Sequence, residues 1–195
     1  KLLLMRKYTL IAFCFIFSFS KMSFAQAPDW IRLLQINTSG LQTVDAVSSD
    51  ANYVYMTAGI SGSLTFNGAT YTAVGLKDLL IQKISNDGAV VWTKQINAQA
   101  NGSIAASALK VDGSGNIYVV CSFSGTITIG TSTINSDASN NALIAKFDLN
   151  GNGVWATSFL SKGTGSRIAL DSNGNLYVTS STTKLIKFNS NGVQQ

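Results

Sequence analysis

Two runs of oxygen-bearing residues are the places in this sequence most able to do chemistry. Asp171-x-Asn173-x-Asn175 and Asp148-x-Asn150-x-Asn152 set a carboxylate and two amides at alternate positions, the way a calcium loop spaces its ligands. A loop of the EF type also needs a bidentate Glu at its twelfth position. Thr182 and Phe159 stand there, and the chain contains no Glu. The competing reading is a tight hairpin turn, where Asn and Gly take positive φ at little cost. That reading is preferred, so no metal and no cofactor are assigned. The chain also lacks His, which removes imidazole as a general base or metal ligand. No catalytic residue is assigned, and the expectation is a protein that is not an enzyme.

Other side chains invite a functional reading and receive a plainer one. Trp30, Trp92 and Trp155 would stack on sugars if exposed. One indole at a fixed place in each repeat is instead what packing between units requires. Cys121 lies in an alternating apolar run and reads as a buried, inert thiol, since a reactive one needs an electropositive setting. The other cysteine, Cys14, sits in an N-terminal leader, so the mature chain has no internal disulfide. The Ser/Thr-rich stretch from Ser124 to Ser136 would make a binding edge; a solvated edge strand is the simpler expectation.

What must position these residues is a repeat. Two stretches 63 residues apart match without a gap: Tyr55 with Tyr118, Ser61-Gly62 with Ser124-Gly125, Lys83 with Lys146, Gly88 with Gly151, Val91-Trp92 with Val154-Trp155. Within the second, Ala108 to Asp112, Ile117 to Phe123, Ala142 to Phe147 and Gly153 to Phe159 read as strands, being alternating or rich in β-branched and aromatic residues. Thr126 to Gly130 and Thr131 to Ile134 read as an added hairpin. A third copy matches at Asp171, Asn175 and Tyr177 (against Asp112, Asn116 and Tyr118), and at Gly192 (against Gly151). It lacks 18 residues where the hairpin would fall, leaving a unit of about 41, the size of a four-stranded propeller blade. The expected fold is all-β: a partial β-propeller of about three four-stranded meander blades, two with an extra hairpin, over units of about 30–91, 92–154 and 155–195. Trp30 to Asn37 resembles the last strand of a blade, and propellers often close by pairing such a strand with the final blade. Three blades are fewer than the usual 4 to 8. Further units are therefore expected beyond the C-terminus, beginning with an aromatic residue at position 196.

The segments VDGSGNIYVVCSFSGTITIG…NALIAKFDLNGNGVW and LDSNGNLYVTSS…LIKFNSNG resemble the SBBP-type β-propeller repeat. In that family Asp-x-x-Gly-Asn-x-Tyr-Val marks the first hairpin, and a Lys, an Asp/Asn-Gly turn and a Trp close the blade. The resemblance covers nearly the whole mature chain. The first copy departs from it, with Ser49-Asp50-Ala51-Asn52 at the Asp and Gly positions. It implies a secreted or surface protein of bacteria, especially of the Bacteroidetes type, and no shared active site. The run from Leu79 to Trp92 also faintly resembles the repeat of quinone-cofactor dehydrogenases, but the acid and catalytic Asp those enzymes need cannot be placed.

The N-terminus decides where the protein acts. Residues 1–25 read as a signal peptide whose true start is Met5: a basic pair (Arg6, Lys7), an apolar run (Leu10 to Phe19), then Ser23-Phe24-Ala25 before Gln26. Cleavage is expected between Ala25 and Gln26. The apolar run is shorter than the roughly 20 residues a bilayer span needs, so no stable membrane span is expected after cleavage. A lipoprotein signal at Cys14 is disfavoured by Phe13, where a small residue is needed. The formal charge is +5, but Lys1, Arg6, Lys7 and Lys21 lie in the leader, leaving the mature part nearly neutral. No basic cluster suggests nucleic acid. The expected function is extracellular or surface binding, or structural display, with a carbohydrate or protein as ligand. The alternatives are the propeller part of a larger secreted enzyme, such as a polysaccharide-degrading one, or a pure spacer. Self-association of residues 26–195 is also expected, because an arc of blades leaves faces bare.

Overall fold

The computed structural model describes residues 37–38, 42–136, 141–160, 164–181 and 184–195. The leader, with Ala25 and Gln26, and Trp30 lie outside them. After β1 (Asn37–Thr38), the first unit supplies β2 (Gln42–Ser49), β3 (Tyr53–Ile60), the hairpin β4 (Ser63–Phe66) and β5 (Ala69–Thr72), then β6 (Asp78–Ser85) and β7 (Val90–Ile96). The second supplies β8 (Ser103–Val111), β9 (Ile117–Ser124), the hairpin β10 (Thr126–Ile129) and β11 (Ser132–Asn135), β12 (Asn141–Phe147) and β13 (Gly153–Leu160). The third supplies β14 (Gly165–Leu170), β15 (Leu176–Ser180) and β16 (Leu185–Phe188).

The main sheets are antiparallel meanders of order β2-β3-β6-β7, β8-β9-β12-β13 and β14-β15-β16. The chain is all-β and forms a partial β-propeller. Only the first two sheets carry the added hairpin. Beyond β16 the chain turns back, with Phe188 bridged to Gln194 and the Gln195 N–H donating to Lys187 O at 2.9 Å. The sheets are offset from the units counted along the sequence. Trp92 and Trp155 lie on β7 and β13, which close the first and second sheets instead of opening the next. A repeat period carries no phase of its own; hydrogen bonding sets it.

The period-two alternation of β9 explains how the sheets stack. Ile117, Val119, Cys121 and Phe123 join Tyr55, Leu79 and Ile81 of the first sheet in one buried cluster. Tyr118 and Val120 join Leu176, Val178, Ile186 and Phe188 of the third in another. The second sheet is thus buried on both faces, and each fully buried aliphatic contributes roughly 1.5–3 kcal/mol. The innermost strands β2 and β14 both lie against β8. Each innermost strand has a bulge at the same place, between Val44 and Ala46, Ala106 and Ala108, and Gly165 and Arg167. The shared bulge bends each inner strand alike. β8 begins at Ser103, earlier than the run from Ala108 suggests, because Ala and Ser in its first half carry little strand propensity.

Candidate functional site

The hairpin turns hold most of the carboxylates. Asp112 Oδ1 accepts the Ser114 and Asn116 N–H groups, both at 2.9 Å. Its Oδ2 accepts Asn116 Nδ2 at 2.8 Å and the Tyr118 hydroxyl at 3.1 Å. Asp171 repeats the pattern with Asn173 N, Asn175 N, Asn175 Nδ2 and Tyr177. Asp148 does so with Asn150 N, Asn152 N and Asn152 Nδ2. The alternate residues of the two calcium-like runs therefore meet the carboxylate as donors: Asn150 and Asn173 through the backbone, Asn152 and Asn175 through both backbone and amide. Gly88, Gly115, Gly151, Gly174 and Gly192 take φ between 77° and 86° in these turns, the left-handed residue of a three-residue hairpin loop.

The first unit keeps the carboxylate in a shorter turn. Asp50 accepts the Asn52 and Tyr53 N–H groups and the Tyr55 hydroxyl, at 2.8, 2.8 and 2.9 Å. A gapless match sets Ser49 against Asp112; the hydrogen bonds assign the role to Asp50. Burial pushes the carboxyls of Asp50, Asp112 and Asp148 up, but the bonds they accept outweigh it and hold all three below the usual range. For Asp171 the Asn175 amide is the largest influence, and the result is again lowered.

A row of side chains crosses each sheet beside the turn. Tyr55 pairs with Lys83, and Lys83 with Trp92. Tyr118 pairs with Lys146, and Lys146 with Trp155. Tyr177 pairs with Lys187. The ammonium of Lys146 lies 5.3 Å from the Tyr118 ring centre and that of Lys187 5.8 Å from Tyr177, within cation–π range. Lys83 is closest, 4.0 Å from Tyr53, and donates to Leu149 O of the second sheet at 3.4 Å. Burial, then the facing carboxylate, pushes the hydroxyls of Tyr55 and Tyr118 up.

Trp92 and Trp155 each meet a glycine of the following sheet. A Cβ at Gly151 would lie 3.0 Å from Trp92, and one at Gly192 2.7 Å from Trp155. Nothing stands within 4 Å of a Cβ at Gly88. The Trp92 Nε1 is enclosed with no acceptor. Cys121 is buried, and burial with Asp45 nearby pushes its thiol up, away from the reactive thiolate.

The stretch from Ser124 to Ser136 divides by face. Ile127 and Ile129 are buried at the seam with the first sheet, where Ile127 bridges to Ala98. The other face is an exposed ladder: Thr126 Oγ1 donates to Asn135 Oδ1 at 2.7 Å, and Thr128 and Thr133 hydroxyls are 3.2 Å apart. The first hairpin matches it, with Ser63–Thr72 and Thr65–Thr70 at 2.9 and 3.0 Å. Two further carboxylates escape a motif reading. Asp78, fully buried, accepts from Val74 N, Gly75 N, Ala98 N and Gln95 Nε2. Its one sequence signal is its match to Asn141 at the 63-residue spacing. Asp45, at the β2 bulge, accepts the Thr43 hydroxyl at 2.6 Å, and Thr43 accepts Lys77 Nζ at 3.0 Å. Its Oδ2 is enclosed without a partner. The second unit has Ser107 at the bulge, so the repeat gives no sign of this arrangement.

Among the described residues no helix is long and apolar enough to cross a membrane. A crystal structure of a protein of unknown function from Bacteroides caccae is similar, with 14% identity and a TM-score of 0.45. The match covers 79% of this chain and 44% of that one, so this chain spans less than half of that protein's length. No curated protein matches. A family model described as the SBBP β-propeller repeat matches residues 159–186, from β13 into β16. Those residues match a β-propeller repeat of the SBBP family, and the Asp171 carboxylate and Tyr177 within them have counterparts in Asp112 and Tyr118 of the second sheet and in Asp50 and Tyr55 of the first.

Proposed function

We propose that the chain is an exported, non-catalytic repeat protein that acts in the extracellular space or at the cell surface, in binding or structural display. The observation that carries the non-catalytic reading is the use of the carboxylates. Asp50, Asp112, Asp148 and Asp171 each accept several bonds from their own turn, which leaves them poor bases and poor nucleophiles. Export rests on the charged, apolar, small-residue order of residues 5–25. The hydroxyl ladders of the two hairpins are the best place for recognition, because they are exposed and rich in groups that both donate and accept. The ligand would be a carbohydrate or a protein; the nearly neutral mature chain argues against nucleic acid.

The test is a glycan and polysaccharide binding screen of residues 26–195, made by a secreting host and beginning at Gln26. Binding is expected to weaken about tenfold or more in a Thr65→Val, Thr128→Val variant, the loss expected when buried polar partners go unpaired. Binding unchanged in that variant would move recognition off the hairpins. Release of soluble sugars during incubation would overturn the non-catalytic reading.

A further inference from the structure

The pair Asn-Gly occurs six times, at Asn67, Asn101, Asn150, Asn152, Asn173 and Asn191. It is open to a reaction of the chain with itself, because glycine has no side chain to keep its nitrogen from the preceding carboxamide. All six asparagines are exposed, so exposure does not separate them. Backbone bonding does. The N–H groups of Gly102, Gly151, Gly174 and Gly192 donate to Gln99 O, Asp148 O, Asp171 O and Asn189 O at 2.7, 2.9, 3.1 and 3.0 Å. Asn152 is held by its own side chain, whose Nδ2 donates to Asp148 Oδ2 at 2.9 Å. Beside it, a Cβ at Gly153 would lie 2.5 Å from Gly130 N. Asn67-Gly68 is different. It makes the two-residue turn between β4 and β5, with φ of 48° and 75°, the left-handed pair of a type I′ hairpin. Gly68 is the one exposed glycine of the six. Its N–H donates to no described group, and nothing beyond its chain neighbours would lie within 4 Å of a Cβ there.

We propose that Asn67 is a site of spontaneous modification, converted to aspartate and isoaspartate in the folded protein. The Gly68 nitrogen gives its proton to solvent base and attacks Asn67 Cγ. The new C–N bond closes a cyclic imide. The Cγ–Nδ2 bond breaks, and the amide nitrogen takes a proton and leaves as ammonia. Water then opens the imide, at the side-chain carbonyl to give aspartate or at the backbone carbonyl to give isoaspartate. Both products put a carboxylate at the tip of a hairpin that has no charged residue from Ser63 to Thr72. Isoaspartate also lengthens the backbone of a turn that has only two residues to close it. At the other five pairs a hydrogen bond must break before nitrogen and carboxamide can meet.

The experiment holds the full chain at mildly alkaline pH in water enriched in heavy oxygen, folded in one arm and in urea in the other. Peptide mapping with tandem mass spectrometry follows conversion at each of the six asparagines. In the folded chain Asn67 should convert at least about fivefold faster than each of the others, the factor that one net hydrogen bond contributes. The product should carry heavy oxygen from the water. In urea that lead should collapse, since the bonds that protect the other five are gone. Conversion at Asn67 no faster than at the others in the folded chain overturns the proposal. So does a lead of the same size in urea, which would assign it to the neighbouring sequence and not to the turn.

Discussion

Glycine at the turn corners serves two purposes that mutation can separate. Gly88, Gly151 and Gly192 share nearly the same left-handed φ, of 86°, 77° and 78°. Replacing any of them by Ala should therefore cost about 1–2 kcal/mol of backbone strain. At Gly192 the added methyl also meets the Trp155 indole, at Gly151 it meets the Trp92 indole and the Lys94 stem, and at Gly88 it meets open space. Urea midpoints should fall least for Gly88→Ala and further for Gly151→Ala and Gly192→Ala. Equal losses at the three sites would remove the indole contact from the explanation. The turn role was legible in the sequence, because Asp/Asn-x-x-Gly recurs at Gly151 and Gly192 and Asn-Asp-Gly stands at Gly88. The indole contact was not, for a physical reason. Trp92 and Gly151 are 59 residues apart, Trp155 and Gly192 only 37. The hairpin changes the spacing, and only stacking of the sheets brings the two residues together.

The five-residue turn is the element whose behaviour follows most directly from its bonds. Asp50, Asp112, Asp148 and Asp171 have folded-state pKa values below the ordinary carboxylate value. A lowered carboxyl adds stability above its unfolded pKa, and that stability is lost as pH falls through the folded value. Thermal stability should be flat from neutral pH down to about 5 and fall below about 4, where unfolded Asp takes up protons. Asp112→Asn should melt lower at pH 7 and show a shallower acid fall, as melting curves from pH 7 to 2 would record. An equally steep fall would place the acid sensitivity elsewhere. The third unit already uses an amide, since Asn189 accepts the Asn191 and Val193 N–H groups at 3.0 Å. At this scale the sequence shows strands and turns well where Tyr, Val and Ile alternate. It hides the Asp50 turn, which is one residue shorter, because a gapless match cannot shift register inside a loop.

At the scale of the whole molecule, stability is shared unequally among the sheets. The second is buried on both faces, whereas the third is buried on one. Stacked repeats draw much of their stability from the interfaces between neighbours. The outer sheets should therefore open at lower free energy than the second, and their apolar residues should seek partners. Leu185 on the third sheet and Val47 on the first are 68% and 66% exposed. The repeat period made the stacking legible in the sequence, but not which faces stay open, since that depends on the phase of the hydrogen bonding. Residues 26–195 should accordingly associate as concentration rises, with a broad melt whose midpoint depends on concentration. Sedimentation velocity over a hundredfold range, on the wild type and on Leu185→Asp, measures this. The charge in Leu185→Asp should shift the mass distribution toward monomer without moving the exchange protection of β9 and β12, because position 185 lies outside both buried clusters. A strict monomer with one sharp melt at every concentration would mean that the outer faces are satisfied within a single chain.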